Sequence, residues 1–180
     1  MLLSYQDCER KYKNHYQIKK ALGLGQLYKL EPGIYADTPN ISELELISFK
    51  YKQAVFTGES AFYYHGLTDV IPEQYHLATS KDAYKIGGKR IRQYFFREDT
   101  FPVGITTMQY RNTDIRIYDK ERMLIELLRS RNTMPFDYYK ELIESYRRIV
   151  QSLDMEKVQE YVLPFPGQNR IWEGIELEVL

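Results

Sequence analysis

The sequence predicts an α+β protein in which a small N-terminal winged helix-turn-helix is followed by a mostly antiparallel sheet packed with helices. Three observations support this prediction. Two short helical patterns and a tight hairpin lie within residues 4–35, four β-like runs lie between residues 74 and 118, and the period becomes helical from residue 119 onward. We therefore assign residues 1–37 to an abbreviated winged domain and residues 38–180 to an α+β domain that includes a tail, 163–180, of undecided structure.

The first 35 residues carry the local signals of two helices and a hairpin. A helix should begin after Ser4, because the hydroxyl can accept from an orphan backbone N–H and Asp7 completes the pattern. Asn14 is the next natural N-cap, and the Gly-Leu-Gly breaker at 23–25 should end the second helix. In the Pro-Gly pair at 32–33, proline fixes φ and glycine accepts a positive φ, as a type II turn requires.

Positive charge is concentrated in this segment, although the whole chain has a formal net charge of zero. Six basic residues lie between positions 9 and 29, and Glu9 is the single acid there. Lysines neutralise phosphates, whereas polar side chains near a helix N-terminus can reach base edges in a major groove. The alternative interpretation is a solvated basic helix beside an ordinary hairpin. The predicted DNA-binding residues are Lys13, Asn14, His15, Tyr16, Gln17, Lys19, Lys20 and Lys29.

The composition of the chain excludes several classes of protein. A pI of about 6.8 excludes a globally basic nucleic-acid coat protein, so any DNA contact must be local. The lone Cys8 cannot form an internal disulfide, and three histidines show no zinc spacing, so we expect a reducing setting with no metal and no cofactor. No apolar run approaches the ~20 residues of a membrane span, which predicts a cytoplasmic protein without a membrane partner. The 17 tyrosines are interpreted as core or boundary residues rather than as a stacking platform.

The rest of the chain is predicted to hold one sheet covered by helices. A helix capped by Ser42 should connect the two domains. Strands are predicted over residues 54–57, 75–79, 90–96, 105–110 and 113–118, with a tight hairpin at 111–112. Helices are predicted over 58–67, after 119, after 135 and over 155–162. The pattern leaves three interpretations of the tail open: a cap on the core, a strand or a dimerisation segment.

The sequence contains no specific nucleophile–base pair, metal cluster or phosphate-binding loop, and we predict that the chain is not an enzyme. Residues 58–60, Gly-Glu-Ser, match the opening of nucleotidyltransferases only loosely, since the spaced acids that would hold Mg²⁺ are missing. Residues 87–89, Gly-Gly-Lys, lack the frame that wraps phosphates and are interpreted as a turn. An enzyme that acts on nucleic acid is one alternative hypothesis, in which Asp114, Asp119 and Glu121 would be the catalytic residues. Asp119 is more simply explained as the cap of a helix. The two histidines interpreted as core or boundary residues are His65 and His76.

Three blocks of sequence together carry a resemblance to a known family. They are residues 16–22 (YQIKKAL) leading into 27–35 (LYKLEPGIY), residues 56–68 (FTGESAFYYHGLT) with 75–79 (YHLAT), and residues 115–127 (IRIYDKERMLIEL) before 138–140 (YYK). In order and spacing they resemble the AbiEi family of antitoxins, the abortive-infection partners of nucleotidyltransferase toxins in type IV toxin–antitoxin pairs used in phage defence.

The resemblance implies two roles and no catalysis. The winged segment would bind double-stranded DNA at repeats in the promoter of its own operon as a transcriptional repressor, and the larger domain would counteract the nucleotidyltransferase toxin, directly or functionally. A homodimer on DNA is expected if the operator is an inverted repeat. Family members often begin with an extra helix, whereas three residues precede Ser4 here, and a domain of ~35 residues is smaller than one that buries its own core. The alternative is a protein-interaction module that binds a toxin partner without binding DNA.

Overall fold

The computed structural model describes all 180 residues and divides them into two compact units, Met1–Lys52 and Gln53–Leu180. The first unit contains β1 (Leu2–Ser4), α1 (Tyr5–Tyr12), α2 (His15–Gly23), β2 (Tyr28–Glu31), β3 (Ile34–Ala36) and α3 (Glu43–Lys50). The second unit contains β4 (Val55–Phe56), α4 (Gly58–Tyr64), β5 (Tyr75–Ser80), β6 (Ile91–Phe96), β7 (Ile105–Tyr110), β8 (Thr113–Tyr118), α5 (Lys120–Arg129), α6 (Phe136–Ile149), a 3-10 turn (Val150–Ser152), α7 (Met155–Val162) and α8 (Gln168–Glu178).

The first unit has a three-stranded antiparallel sheet in the order β1-β3-β2. The hairpin forms where it was predicted, with Gly33 at φ +79° in the turn between β2 and β3. Strand β1 was not predicted: it pairs Leu3 with Tyr35 and buries the apolar side chains of Leu2 and Leu3. The residues before α1 therefore contribute to the sheet and to the core of this unit.

Helix α3 belongs to the first unit rather than to a connection between domains. Ser42 caps it as predicted, its Oγ accepting from the Glu45 N–H at 3.1 Å. Partly buried side chains on and before α3, Leu46, Phe49 and Ile41, pack against a small cluster formed by Leu2, Ile34 and Ala36. The predicted boundary between residues 37 and 38 is therefore corrected to lie between Lys52 and Gln53, and the additional helix enlarges the apolar interior of the N-terminal unit.

The second unit is built on a five-stranded sheet in the order β6-β5-β4-β8-β7. Strands β7 and β8 form the predicted hairpin, and both residues of its turn, Arg111 and Asn112, have positive φ. The β4–β5 pair is also antiparallel, whereas β4–β8 and β5–β6 are parallel. With the N-terminal sheet included, the protein is α+β with mostly antiparallel pairing, as predicted.

The C-terminal helices pack mainly on α5, which contacts α6, α7 and α8. Asp119 caps α5 through its Oδ1, which accepts from the Arg122 N–H at 2.8 Å. The tail left open by the sequence forms α8, whose Ile171, Ile175 and Val179 are buried at helical spacing. None of the helices has the length and apolar character needed to cross a membrane.

Candidate nucleic-acid interface

Capping side chains stabilise the N-terminal ends of α1 and α2. Ser4 and Asp7 form a complete capping box: the Asp7 N–H donates to Ser4 Oγ at 3.2 Å, and the Ser4 N–H donates to Asp7 Oδ2 at 2.9 Å. The hydrogen bonds from Ser4 lower the pKa of Asp7. Lys13 ends α1 with φ at +70°, outside the helical range, and α2 starts two residues later.

Helix α2 presents two chemically different faces. Ile18 and Ala21 are buried, and together with Leu27 they belong to a core cluster that also contains Leu3, Cys8 and Tyr35. The opposite face carries Tyr16, Lys19 and Lys20 at spacings of three and four residues, which places these side chains on the same side of the helix. The core thus positions α2 so that its basic and polar face lies in solvent.

All eight residues predicted to bind DNA are exposed. The side chain of Tyr16 is 72% exposed, whereas tyrosine side chains are on average more buried. Seven of the eight lie in the segment 13–20, while the structure places Lys29 separately, on β2 of the hairpin. The sequence interpretation chose the lysines for their charge and residues 14–17 for their polar side chains at a helix N-terminus, and the structure places 15–17 in the first turn of α2.

The lysines of this surface carry charge that no acid of the chain neutralises. Lys13, Lys19, Lys20 and Lys29 form no ion pair, whereas the neighbouring Arg10 pairs with Asp7 at 3.5 Å. We name this surface, made of Lys13, Asn14, His15, Tyr16, Gln17, Lys19, Lys20 and Lys29, the basic face. Its unpaired ammonium groups are available to phosphates.

Two polar residues of the basic face also have structural roles. Asn14 Oδ1 accepts from the Gln17 N–H at 3.0 Å and so caps α2, which leaves its amide NH₂ as the group free to donate. His15 Nδ1 lies 3.5 Å from the Tyr5 hydroxyl, and the nearby Glu9 carboxylate raises the pKa of the Tyr5 phenol. The side chains of Tyr16 and Gln17, by contrast, are exposed and form no hydrogen bond within the chain.

Two of the three carboxylates of the nuclease hypothesis, those of Asp119 and Glu121, make structural contacts. Asp119 caps α5 and accepts a second hydrogen bond from the Tyr161 hydroxyl at 3.1 Å, and burial raises the pKa of this carboxyl. Glu121 accepts from the Asp154 N–H at 3.0 Å. Asp114 is exposed on β8. The structure places none of them in a cluster of three or more His, Cys, Asp or Glu side chains suited to a metal ion.

His65, which is half-buried, and His76, which is buried, both make contacts within the fold. His65 Nε2 donates to the Tyr118 carbonyl at 2.7 Å, and burial lowers the pKa of this imidazole. His76 is 3% exposed, and its Nδ1 accepts from the Glu59 N–H at 3.3 Å and from the Tyr94 hydroxyl at 3.1 Å. Burial, assisted by the charge of Arg92, lowers the pKa of His76 to about 4. The Gly-Glu-Ser segment at 58–60 thus lies against this imidazole.

Comparison with known proteins identifies a likeness of fold. No protein-family model and no curated protein matches the chain. Among solved structures, the chain is similar to the crystal structure of the RV2827C protein from Mycobacterium tuberculosis, with a TM-score of 0.64 over 99% of this chain and 71% of that chain. The two sequences are 12% identical, and at that level the similarity establishes a shared fold.

Proposed function

We propose that this protein is a DNA-binding antitoxin that represses transcription of its own toxin–antitoxin operon. The observation that carries the DNA-binding half is the basic face: a capped, exposed helix whose Lys19 and Lys20 have no ion-pair partner and whose N-terminal turn presents Tyr16 and Gln17. This combination supplies phosphate contacts and base contacts from one short helix. The promoter repeats of the operon are the proposed duplex, and a homodimer is the proposed form on an inverted repeat.

The first prediction concerns the salt dependence of DNA binding. With ~4–6 phosphates neutralised per protomer, log K should fall with log salt with a slope of roughly −4 to −5. Lys19→Ala/Lys20→Ala should reduce the magnitude of this slope by about 2 and weaken binding about tenfold at ~0.1 M salt. Fluorescence anisotropy with the labelled duplex upstream of the gene, titrated at several salt concentrations, measures both effects.

Matched variants separate charge from sequence reading. Lys140→Ala/Lys157→Ala removes two exposed lysines of the second unit and should leave operator binding unchanged. Tyr16→Ala/Gln17→Ala should reduce the preference for operator over a scrambled duplex while it leaves the salt slope in place. If the folded native chain binds the operator no better than the scrambled duplex, the repressor proposal fails and the interaction-module alternative takes its place.

For the antitoxin role, we propose that the toxin binds to a surface of the second unit. A groove of about 370 Å³ lies between α7 and α8, and its lining includes Leu163, Trp172, Glu173 and Glu176 but no basic residue. Leu163, which directly follows α7, and Leu177 of α8 are exposed. A nucleotidyltransferase must bind the phosphates of its substrates with positively charged groups, so an acidic and apolar groove is complementary to its substrate-binding surface.

The second prediction tests this groove with charge reversal. Glu173→Lys/Glu176→Lys should abolish capture of the adjacent gene's product and protection from its toxicity, because like charges across an interface oppose association. Operator binding should remain at the native level. Asp69→Lys/Glu73→Lys, which reverses two exposed acids outside the groove, is the control and should protect normally. Full protection by the Glu173→Lys/Glu176→Lys variant would rule the groove out as the toxin contact.

A further inference from the structure

A second concentration of positive charge lies in the connection between β5 and β6. Residues 81–92 contain five basic side chains and one acid, Asp82. Lys81, Lys85 and Lys89 are exposed and form no ion pair within the chain. The segment 81–90 connects two parallel strands without forming a helix. We name it the basic loop.

An aromatic ring projects from the middle of the basic loop. The side chain of Tyr84 is 95% exposed, the highest value among the large apolar and aromatic residues of the chain. Most other tyrosines are buried or half-buried, so the general interpretation of tyrosines as core and boundary residues does not extend to this one. A fully exposed ring flanked by unpaired lysines has the composition of a surface that stacks an unpaired base and neutralises the adjoining phosphates.

The backbone of the basic loop is fastened by two glutamine side chains. Gln93 Oε1 accepts from the Ile86 N–H at 2.7 Å, while Gln93 Nε2 donates to the Tyr84 carbonyl at 3.1 Å and to Thr79 Oγ1 at 2.8 Å. Gln74 Nε2 donates to the Lys89 carbonyl at 2.7 Å. These bonds hold the backbone at Tyr84 and after it, and the Ala83 N–H donates to the Ser80 carbonyl at 3.1 Å on the other side, which lowers the entropy cost of ordering the loop against a ligand.

We propose that the basic loop is a binding site for single-stranded nucleic acid, with Tyr84 stacking on an unpaired base and Lys81, Lys85 and Lys89 contacting the phosphodiester backbone. This site lies in the second unit and is independent of the proposed duplex contact of the basic face in the first unit. The shared chemistry is a flexible phosphodiester chain with accessible bases, which single-stranded RNA and single-stranded DNA both provide.

The experiment uses the full chain carrying Lys19→Ala/Lys20→Ala, so that failure of the basic face and failure of the basic loop are measured separately. Fluorescein-labelled dT12 and rU12 are titrated by anisotropy at several salt concentrations, starting from about 0.02 M, where charge contacts are strongest. Binding of either oligonucleotide supports the proposal, and the ratio of the two affinities shows whether the site prefers ribose or deoxyribose.

Substitutions within the basic loop then identify the contacts. Tyr84→Ala should weaken oligonucleotide binding about tenfold, whereas Tyr84→Phe, which keeps the ring, should bind within about twofold of the parent. Lys85→Ala/Lys89→Ala should reduce the magnitude of the salt slope by about 1.4, since each phosphate contact on a single strand contributes ~0.7. Because the Tyr84 side chain lies almost entirely in solvent, its removal leaves the fold unchanged.

Controls remove equivalent groups elsewhere on the second unit. Phe136 is a 75% exposed aromatic residue on α6, and Phe136→Ala should bind oligonucleotides like the parent, as should Lys140→Ala/Lys157→Ala. Unchanged binding by Tyr84→Ala would overturn the proposal. It would also be overturned if a 12-base-pair duplex bound as tightly as dT12 and lost the same affinity on Tyr84→Ala, because the ring would then not be reading an unpaired base.

Discussion

Replacing Arg122 by alanine is expected to destabilise the second unit by about 3–5 kcal/mol, the typical cost of removing one partner of a buried ion pair. Arg122 is 0% exposed, and its guanidinium donates to Glu126 Oε1 at 2.8 Å and to the Val103 carbonyl at 2.9 Å. It also lies 4.4 Å from the ring centre of Tyr118 and 4.5 Å from that of Phe165. Alanine would leave the carbonyl without its donor and a void between the rings.

The single tryptophan allows the unfolding of the second unit to be measured specifically. Trp172 lies in α8, so its fluorescence during guanidinium unfolding reports on the second unit. The midpoint of thermal unfolding should fall by roughly 10–20 °C. Arg97→Ala, which removes an exposed arginine paired with Asp99, should change stability by less than about 1 kcal/mol. A loss of that small size for Arg122→Ala would contradict the assigned role.

A second variant separates the charge of Arg122 from its volume. Arg122→Met/Glu126→Leu removes both buried charges and retains apolar bulk, so it should recover much of the stability that Arg122→Ala loses. The carbonyls of Thr100 and Val103 would still lack the donors that Arg122 supplies, so recovery should remain incomplete. Glycine at position 104 belongs to the same arrangement: a Cβ there would lie 2.4 Å from Arg122 Cβ, and its φ is +77°.

Acid is expected to weaken the second unit through His76. The pKa of this imidazole falls to about 4 in the fold against ~6.5 in an unfolded chain. Between these values the unfolded state binds a proton that the native state does not, so stability is fully present above about pH 6.5 and is lost as pH falls toward 4. The difference amounts to about 3 kcal/mol. Protonation at Nδ1 would end its acceptance from the Glu59 N–H and the Tyr94 hydroxyl.

The measurement compares unfolding of the native chain and His76→Gln by Trp172 fluorescence between pH 7 and pH 4. Carboxylates titrate in the same range in both proteins, so the difference between their stabilities isolates the histidine. That difference should shrink by about 3 kcal/mol as pH falls. A constant difference across this range would show that His76 is protonated in the fold at the same pH as in the unfolded chain.

Local signals predicted the elements that depend on neighbouring residues. Ser4, Asn14, Ser42 and Asp119 each accept a backbone N–H three residues onward, as capping side chains do. The turn residues at 111–112 predicted a hairpin whose strands, Ile105–Tyr110 and Thr113–Tyr118, have the predicted bounds. These contacts span only a few residues of chain, which is why sequence alone is sufficient for them.

Elements that depend on distant partners were missed or left open. Strand β1 has only three residues and exists because it pairs with β3, more than thirty positions away. The same dependence explains the parallel pairing of β5 with β6, the place of α3 in the first unit and the helical tail. Among the candidate residues, the sequence identified the basic face by charge, but the exposure of Tyr84 within the basic loop is visible only in the folded chain.

The sequence by itself determined the α+β class, most helix and strand positions and the location of the basic segment, because periodicity, caps and turns are properties of short stretches of chain. Tertiary structure decided which strands are neighbours, where the first unit ends and which polar groups remain available. Lys19 and Lys20 stayed unpaired, and Asp119 accepted a second hydrogen bond from the Tyr161 hydroxyl, 42 residues away in sequence. The physical reason is that burial and hydrogen-bond satisfaction are settled between residues far apart in sequence.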